Sequence, residues 1–234
     1  MTKPLIFPTG DTPVMGYAAT FLQELGLAVA DAPSPDVTHV LLPIPLKPTM
    51  PLSPSVTVIG GNLDAFRQPH MDLLKDELYL SQNAMITAQV AVNLAVTSLP
   101  IILEGCPTLI LGWGRIGKCL MQLLKVLGAD VTVAARKPSD RGMICALGCT
   151  AADISMADSL AHRYRLIFNT VPYPVMNTAN CRQDCVKIEL ASTQGLMGDD
   201  ILQARGLPGK YAPESSGRLI AQTIHRLLNP EEYI

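Results

Sequence analysis

Short apolar runs alternate with longer stretches of helical spacing along the whole chain. Leu5-Ile6-Phe7 and residues 27–30, 39–42 and 56–59 read as buried strands, and Leu78-Tyr79-Leu80 as a last short one. Helices are expected over 13–25, with Pro13 in the first turn and Gly26 as the stop, and over 63–74. Residues 44–54 are rich in proline and predict irregular chain. Strands alternating with helices imply a parallel sheet. Its carboxyl edge would collect residues 8–11, 43–45 and 60–62, the edge at which open sheets of this kind take ligands.

Residues 82–98 read as one Ala-rich amphipathic helix that connects two units, with Asn83 and Thr87 one turn apart on a shared face. The second unit opens at Leu109-Ile110-Leu111, a buried strand. Gly112-Trp113-Gly114-Arg115-Ile116-Gly117 follows, then a helix over 118–127 with Leu120, Leu123, Leu124 and Leu127 on one face and Gly128 as its stop. Residues 131–134 form the next strand. The alternation continues with a helix over 140–147, a short strand at 149–151, a broken helix over 154–163 and strands at 166–168 and 186–190. A short helix over 199–204, a loop over 206–213 and a closing helix over 214–228 complete the chain. The expected fold class is α/β: a Rossmann dinucleotide-binding domain over 83–213, and a smaller flavodoxin-like domain over 1–82 joined by the closing segment 214–234. The active site is expected in the cleft between them.

A G-x-G-x-x-G loop between a strand and a helix carries a specific chemistry. Gly112 permits the tight turn, Gly114 lets a pyrophosphate approach the backbone, and Gly117 lets the helix pack on the strand. Free N–H groups and the helix dipole then favour phosphate. Trp113, Arg115 and Ile116 belong to the same loop. About 20 residues on, a site selective for NAD carries an acid for the ribose 2′-hydroxyl. This chain has Ala135-Arg136-Lys137, then Pro138-Ser139. Two cations and a hydroxyl suit a 2′-phosphate, so NADP is the first choice and NAD the second. The plain alternative is a solvated loop after a strand. Asn169, Thr170, Val171 and Pro172 end a later strand on the same edge, and Ala191-Ser192 another. Asn169 and Thr170 offer neutral hydrogen bonds to a ribose or a carboxamide, and Pro172 shapes the wall. Glu189 is either catalytic or a structural carboxylate holding a loop. Lys210 is the cation placed for an acidic substrate, or an exposed loop lysine.

Composition narrows the classes. Hydrophobic residues make up 48% and charged residues 16% of the 234, so a substantial core is expected. A net charge of −2 gives no reason to expect nucleic acid or an anionic membrane as partner. The half that carries the glycine loop holds the positive excess, as a phosphate ligand would prefer. No apolar run has the length of a membrane span and no signal-peptide pattern opens the chain, so a cytoplasmic protein is expected. The six cysteines are then reduced. Cys145/Cys149 and Cys181/Cys185 are spaced more widely than zinc pairs usually are, so buried thiols are expected and no metal. His162 and His225 are expected at the surface and His39, at a strand start, as structural. No hydrolase triad, HExxH or P-loop is present. A hydride transfer needs mainly a positioned nicotinamide and substrate.

Several strings resemble one family. Asn83-Ala84-Met85-Ile86-Thr87-Ala88, the glycine loop from Leu111 to Gly117, Val131-Thr132-Val133-Ala134-Ala135-Arg136 and Phe168-Asn169-Thr170-Val171-Pro172 are similar to the dipicolinate synthase A chain. So are Glu189-Leu190-Ala191-Ser192 and Gly206-Leu207-Pro208-Gly209-Lys210-Tyr211-Ala212-Pro213, so that the likeness spans roughly residues 80–228. The resemblance implies NADP-dependent oxidation of dihydrodipicolinate to dipicolinate by hydride transfer, in sporulation, with a second, flavoprotein-like partner subunit. It implies nucleotide contacts from the glycine loop, Arg136 and 170–172, and a substrate near Asn83, Thr87, Ser192 and Lys210. A homo-oligomer is expected. The chain departs from the family at Gln89, where Glu is usual, and at Thr193-Gln194-Gly195, where Arg or Pro and glycines follow. Two alternatives stay open. A relative of the 2-hydroxyacid dehydrogenases would want an arginine and an acid–histidine pair. A non-catalytic NADP(H)-binding sensor or scaffold would carry those two departures as its signs.

Overall fold

The computed structural model describes residues 3–44 and 52–233. In chain order these form β1 (Leu5–Pro8), α1 (Pro13–Glu24), β2 (Ala28–Val29), β3 (His39–Leu41), β4 (Thr57–Gly60), β5 (His70–Asp72) and α2 (Glu77–Ser98). β6 (Pro107–Leu111), α3 (Arg115–Val126), β7 (Asp130–Ala135), α4 (Pro138–Ala146), β8 (Thr150–Asp153), α5 (Ala157–Leu160) and β9 (Leu166–Asn169) follow. β10 (Met176–Asn177), β11 (Val186–Glu189), β12 (Leu196–Met197), β13 (Ile201–Gln203), α6 (Leu207–Tyr211) and α7 (Pro213–Leu228) complete them. Two compact units result, one from Met1–Asn83 with Pro208–Ile234 and one from Ala84–Leu207.

The first unit holds a parallel sheet in the order β2-β1-β3-β4-β5, the flavodoxin-like arrangement. Val37, Val40, Leu42, Val56, Val58 and Leu63 fill one side of it. Helix α1 starts at Thr12, whose hydroxyl accepts from the Met15 N–H, with Pro13 in the first turn, where a missing N–H costs nothing. Helix α7 lies against α1 through Gly217. A Cβ there would fall 2.6 Å from Cβ of Tyr17 and 2.7 Å from the Ala18 nitrogen, so only glycine admits this approach. The Arg218 guanidinium then sits 4.2 Å from the Phe21 ring centre. Arg226 donates to Asp76 at 2.8 Å, tying α7 to the start of α2.

The second unit holds a parallel sheet in the order β13-β11-β9-β6-β7-β8. Counted from β6, this is the 3-2-1-4-5-6 order of the Rossmann fold. The central strands read as near-continuous apolar runs because both faces are covered. Ile110, Phe168 and Ile188 point to one side, with Leu120 and Leu124 of α3 and Ala88, Ala91 and Ala95 of α2. Leu109, Leu111 and Ile167 point to the other, with Ala157, Ala161 and Met176. Among the described residues no helix is long and apolar enough to cross a membrane.

Several local expectations are corrected. Residues 63–74 are not a helix. Pro69 breaks the run, and His70–Asp72 pairs in parallel with β4. Leu78-Tyr79-Leu80 is not a strand but the first turn of α2, because the Asp76 carboxylate accepts from the Tyr79 N–H at 2.7 Å and caps the helix. Residues 199–204 contain β13 rather than a helix, since Ile201 to Gln203 complete the sheet edge beside β11. The loop over 206–213 contains α6. Cys145 is exposed and only Cys106 and Cys185 are buried, all six thiols being free. The His225 side chain is only 12% exposed, 3.8 Å from the Glu232 carboxylate, and is no surface residue. Of the irregular stretch 44–54 and the strand end 43–45, residues 45–51 lie outside the described residues.

Candidate functional site

Strand β6 ends at Leu111, and the chain turns through Gly112 at φ +104°, a conformation that side chains rarely adopt. The turn is crowded: a Cβ on Gly112 would fall on the Thr170 hydroxyl. A Cβ on Gly117 would fall on the Gly112 carbonyl oxygen, so the first turn of α3 rests directly on the loop. Around Gly114 nothing stands within 4 Å of an added Cβ. Gly114 is the N-cap of α3 and supplies no capping side chain, which leaves the first N–H groups and the positive end of the helix to face that open space.

A pocket of about 250 Å³ opens there. Gly112, Trp113 and Gly114 line it from the turn after β6, Ala135, Arg136, Lys137 and Asp140 from the end of β7 and the start of α4, and Thr170, Val171, Pro172 and Tyr173 from the end of β9, with Ile154 following β8. Arg136 and Lys137 are exposed. A larger groove of about 560 Å³ lies beyond Trp113, between α3 and α4, and is lined mainly by Met121, Val126, Met143 and Leu147. Lys118, Gln122 and Lys125 also line it, but the glycine turn and the ends of β7 and β9 converge on the smaller pocket, so we place the site there.

The end of β7 is braced. Arg141 Nη1 donates to the carbonyls of Ala135 at 3.0 Å and Arg136 at 2.8 Å, and pairs with Asp153 Oδ2 at 2.8 Å. Asp153 Oδ1 in turn accepts from the Ser155 N–H at 3.0 Å and the Ser155 hydroxyl at 2.8 Å. Those Ser155 bonds, with the Arg141 charge, hold the Asp153 carboxyl below its ordinary value.

The opposite wall hangs on a buried carboxylate. Glu189 is fully buried and accepts four hydrogen bonds. Oε1 takes Asn169 Nδ2 at 2.7 Å and the Ala191 N–H at 3.0 Å; Oε2 takes the N–H groups of Gly195 at 2.8 Å and Leu196 at 2.9 Å. Asn169 is also fully buried. Its amide donates to the Val171 carbonyl at 3.0 Å, and its oxygen accepts from the Val171 N–H at 3.0 Å. Gly195 packs so tightly on this loop that a Cβ would stand 2.6 Å from the Val171 oxygen and 2.7 Å from the Tyr173 oxygen. The Thr170 hydroxyl donates to the Leu111 carbonyl at 2.8 Å and keeps its lone pairs for a donor in the pocket.

The structure therefore brings Gly112, Trp113, Gly114, Ala135, Arg136, Lys137, Thr170, Val171 and Pro172 to one pocket. Arg115, Ile116 and Gly117 belong to the helix start and do not line it, and neither does Ser139 in the first turn of α4. Asn169 faces inward and shapes the wall; its amide is engaged within the protein. Ser192 is exposed on the loop that Glu189 holds. Thr87 is buried in α2 within the second unit, whereas Asn83 and Lys210 belong to the first. Lys210 lies in α6, its ammonium 5.0 Å from the Tyr211 ring centre. Sequence reasoning missed Asp140, Ile154 and Tyr173 in the pocket and the role of Arg141. For Tyr173 the signal was its place after Pro172; for Arg141 there was none.

The fold is shared with known proteins. The dipicolinate synthase A chain of Bacillus subtilis is 26% identical over 157 residues, 62% of this chain and 53% of that protein. The chain resembles the dipicolinate synthase A chain. It spans about half the length of that curated relative. The crystal structure of the dipicolinate synthase A chain from Bacillus halodurans superposes with a TM-score of 0.82 at 21% identity, covering 97% of each chain. That of the Bacillus subtilis protein gives 0.83 at 17% identity, covering 100% of this chain and 98% of that one. At those identities the two structures show the shared fold. No protein-family model matches the chain.

Proposed function

We propose that this chain is a nicotinamide-dependent oxidoreductase that binds NADP(H) in the glycine-turn pocket, with NAD(H) second. The observation that carries the reading is the open space over Gly114 at the uncapped start of α3, with Arg136 and Lys137 on the rim of the same pocket. The α3 N–H groups would hold the pyrophosphate, and Arg136 and Lys137 the 2′-phosphate. Asp140 on the same side opposes them, so the local balance is two positive charges against one. Thr170 and the wall of Val171, Pro172 and Tyr173 would bound the ribose and nicotinamide half. When bound, the cofactor supplies a hydride acceptor.

The substrate we propose is a small carboxylated heterocycle, dihydrodipicolinate, oxidised to dipicolinate with loss of a hydride to the cofactor and a proton to solvent. The names of the relatives support this. Lys210 would pair with a substrate carboxylate. The relatives are named as one chain of a synthase, which supports a second kind of chain as partner, and we propose a flavoprotein-like one.

The test is direct. Trp113 is the sole tryptophan and lines the pocket, so its fluorescence reports nucleotide binding. NADPH should quench it at lower concentration than NADH, and Arg136→Asp should abolish that preference. Purified protein with its flavoprotein-like partner should then reduce NADP with freshly made dihydrodipicolinate. Absence of binding by either nucleotide overturns the reading. Binding without turnover leaves a nucleotide-binding protein and overturns the enzyme assignment.

A further inference from the structure

We propose that Arg141 is a positioning residue that sets the preference for the phosphorylated cofactor, by fixing the backbone from which Arg136 reaches the 2′-phosphate; this rests on the NADPH reading above. The pairing of β7 with β8 ends at Ala135 opposite Asp153. Arg136 is the first residue beyond that ladder and is exposed. Left alone, its carbonyl would lie in a solvated turn and the residue would sample several backbone conformations. Arg141 removes that freedom. It stands one turn into α4, and Nη1 reaches the two successive carbonyls of Ala135 and Arg136.

The brace is itself fixed. Asp153 Oδ2 holds the guanidinium at 2.8 Å, and Ser155 holds Asp153 through two bonds to Oδ1. The path from β8 to the Arg136 backbone therefore runs through the Ser155–Asp153 hydrogen bonds, an Asp153–Arg141 ion pair and two charge-assisted hydrogen bonds to carbonyls. A cation already anchored at its Cα loses less freedom when it closes on a phosphate than one on a loose turn. NADH presents no 2′-phosphate, so its affinity does not draw on the brace. The expected signature is a change in selectivity, which a general loss of stability does not produce.

Dissociation constants for NADPH and NADH are measured from Trp113 fluorescence for the wild type, Arg141→Gln, Arg141→Lys and Asp153→Asn, with thermal midpoints in parallel. Arg141→Gln should weaken NADPH about tenfold, as loss of one such bond to a charged group would, and leave NADH within about twofold. Arg141→Lys, which keeps the charge, should fall between. Asp153→Asn keeps the two carbonyl bonds and should lose less than Arg141→Gln. A wild-type NADPH/NADH ratio retained in Arg141→Gln overturns the role of Arg141 and leaves the cofactor reading standing. Should that variant fail to fold, the ratio in Arg141→Lys decides in the same way. If the wild type itself shows no preference for NADPH, the reading of Arg136 and Lys137 falls first and takes this inference with it.

Discussion

Asn169 Nδ2 donates to Glu189 Oε1 at 2.7 Å, and neither side chain is exposed. The pair couples the carboxyl ends of two neighbouring strands, β9 and β11, directly beneath one wall of the pocket. A carboxylate that accepts four bonds has no unsatisfied lone pair facing the apolar interior, and this makes its burial tolerable. Replacing it with an amide turns one acceptor into a donor that confronts either two N–H groups or the Asn169 amide. We expect Glu189→Gln to cost about 3 kcal/mol of stability, from urea unfolding. The loops at 170–173 and 191–196 should exchange amide protons faster. An unchanged unfolding midpoint would show that the network does not hold the wall.

The glycines of the turn separate fold from ligand. At Gly117 an added methyl meets the Gly112 carbonyl, a backbone atom that cannot swing aside. Gly117→Ala should destabilise by about 2–3 kcal/mol, read as a lowered thermal midpoint. At Gly114 the methyl meets nothing, and the backbone at φ −80° and ψ −170° suits any residue. Gly114→Ala should keep its midpoint within the range of a neutral surface change, about 0.5 kcal/mol, yet lose NADPH affinity by more than about tenfold, because the methyl occupies the space over the helix start. Full binding by Gly114→Ala would remove the pyrophosphate from this turn.

Acid should act on the first unit through Asp76. Burial pushes its carboxyl up, but the bond from Arg226, the Tyr79 N–H and the Arg226 charge outweigh burial and hold it below the ordinary 3.8. A depressed carboxyl stabilises the fold at pH above its unfolded value and loses that contribution as pH falls through the folded value. Stability should therefore be flat in this respect above about pH 5 and decline below about pH 4. Asp76→Asn should lower the midpoint at neutral pH and flatten the acid limb. An acid limb of equal slope in the variant would assign the effect to other carboxylates.

How much of this was legible beforehand depends on the range of the interaction. The glycine turn is local: Gly112, Gly114 and Gly117 are read from spacing alone, and the strand-turn-helix around them follows from apolar periodicity. The same holds for the cations after β7. The helix expected over residues 63–74 went wrong because parallel pairing of His70–Asp72 with β4 is a non-local bond that a window of apolar residues does not contain. The start of α2 was missed because one carboxylate, Asp76, outweighs the strand-like look of Leu78-Tyr79-Leu80. β13 was missed because its only support is the edge of β11.

The sequence by itself determined the alternation of strands and helices, the glycine turn and the positive rim, since each rests on residues within a turn or two of one another. Only the tertiary structure decided which polar groups face the pocket and which support it. Asn169 turns inward because Glu189 lies beside it on the next strand, and Arg141 points back at Arg136 because Asp153 ends the strand beyond. Both orientations come from partners 20 and 12 positions away in the chain. Such pairs form because buried polar groups must find partners wherever the fold brings them together.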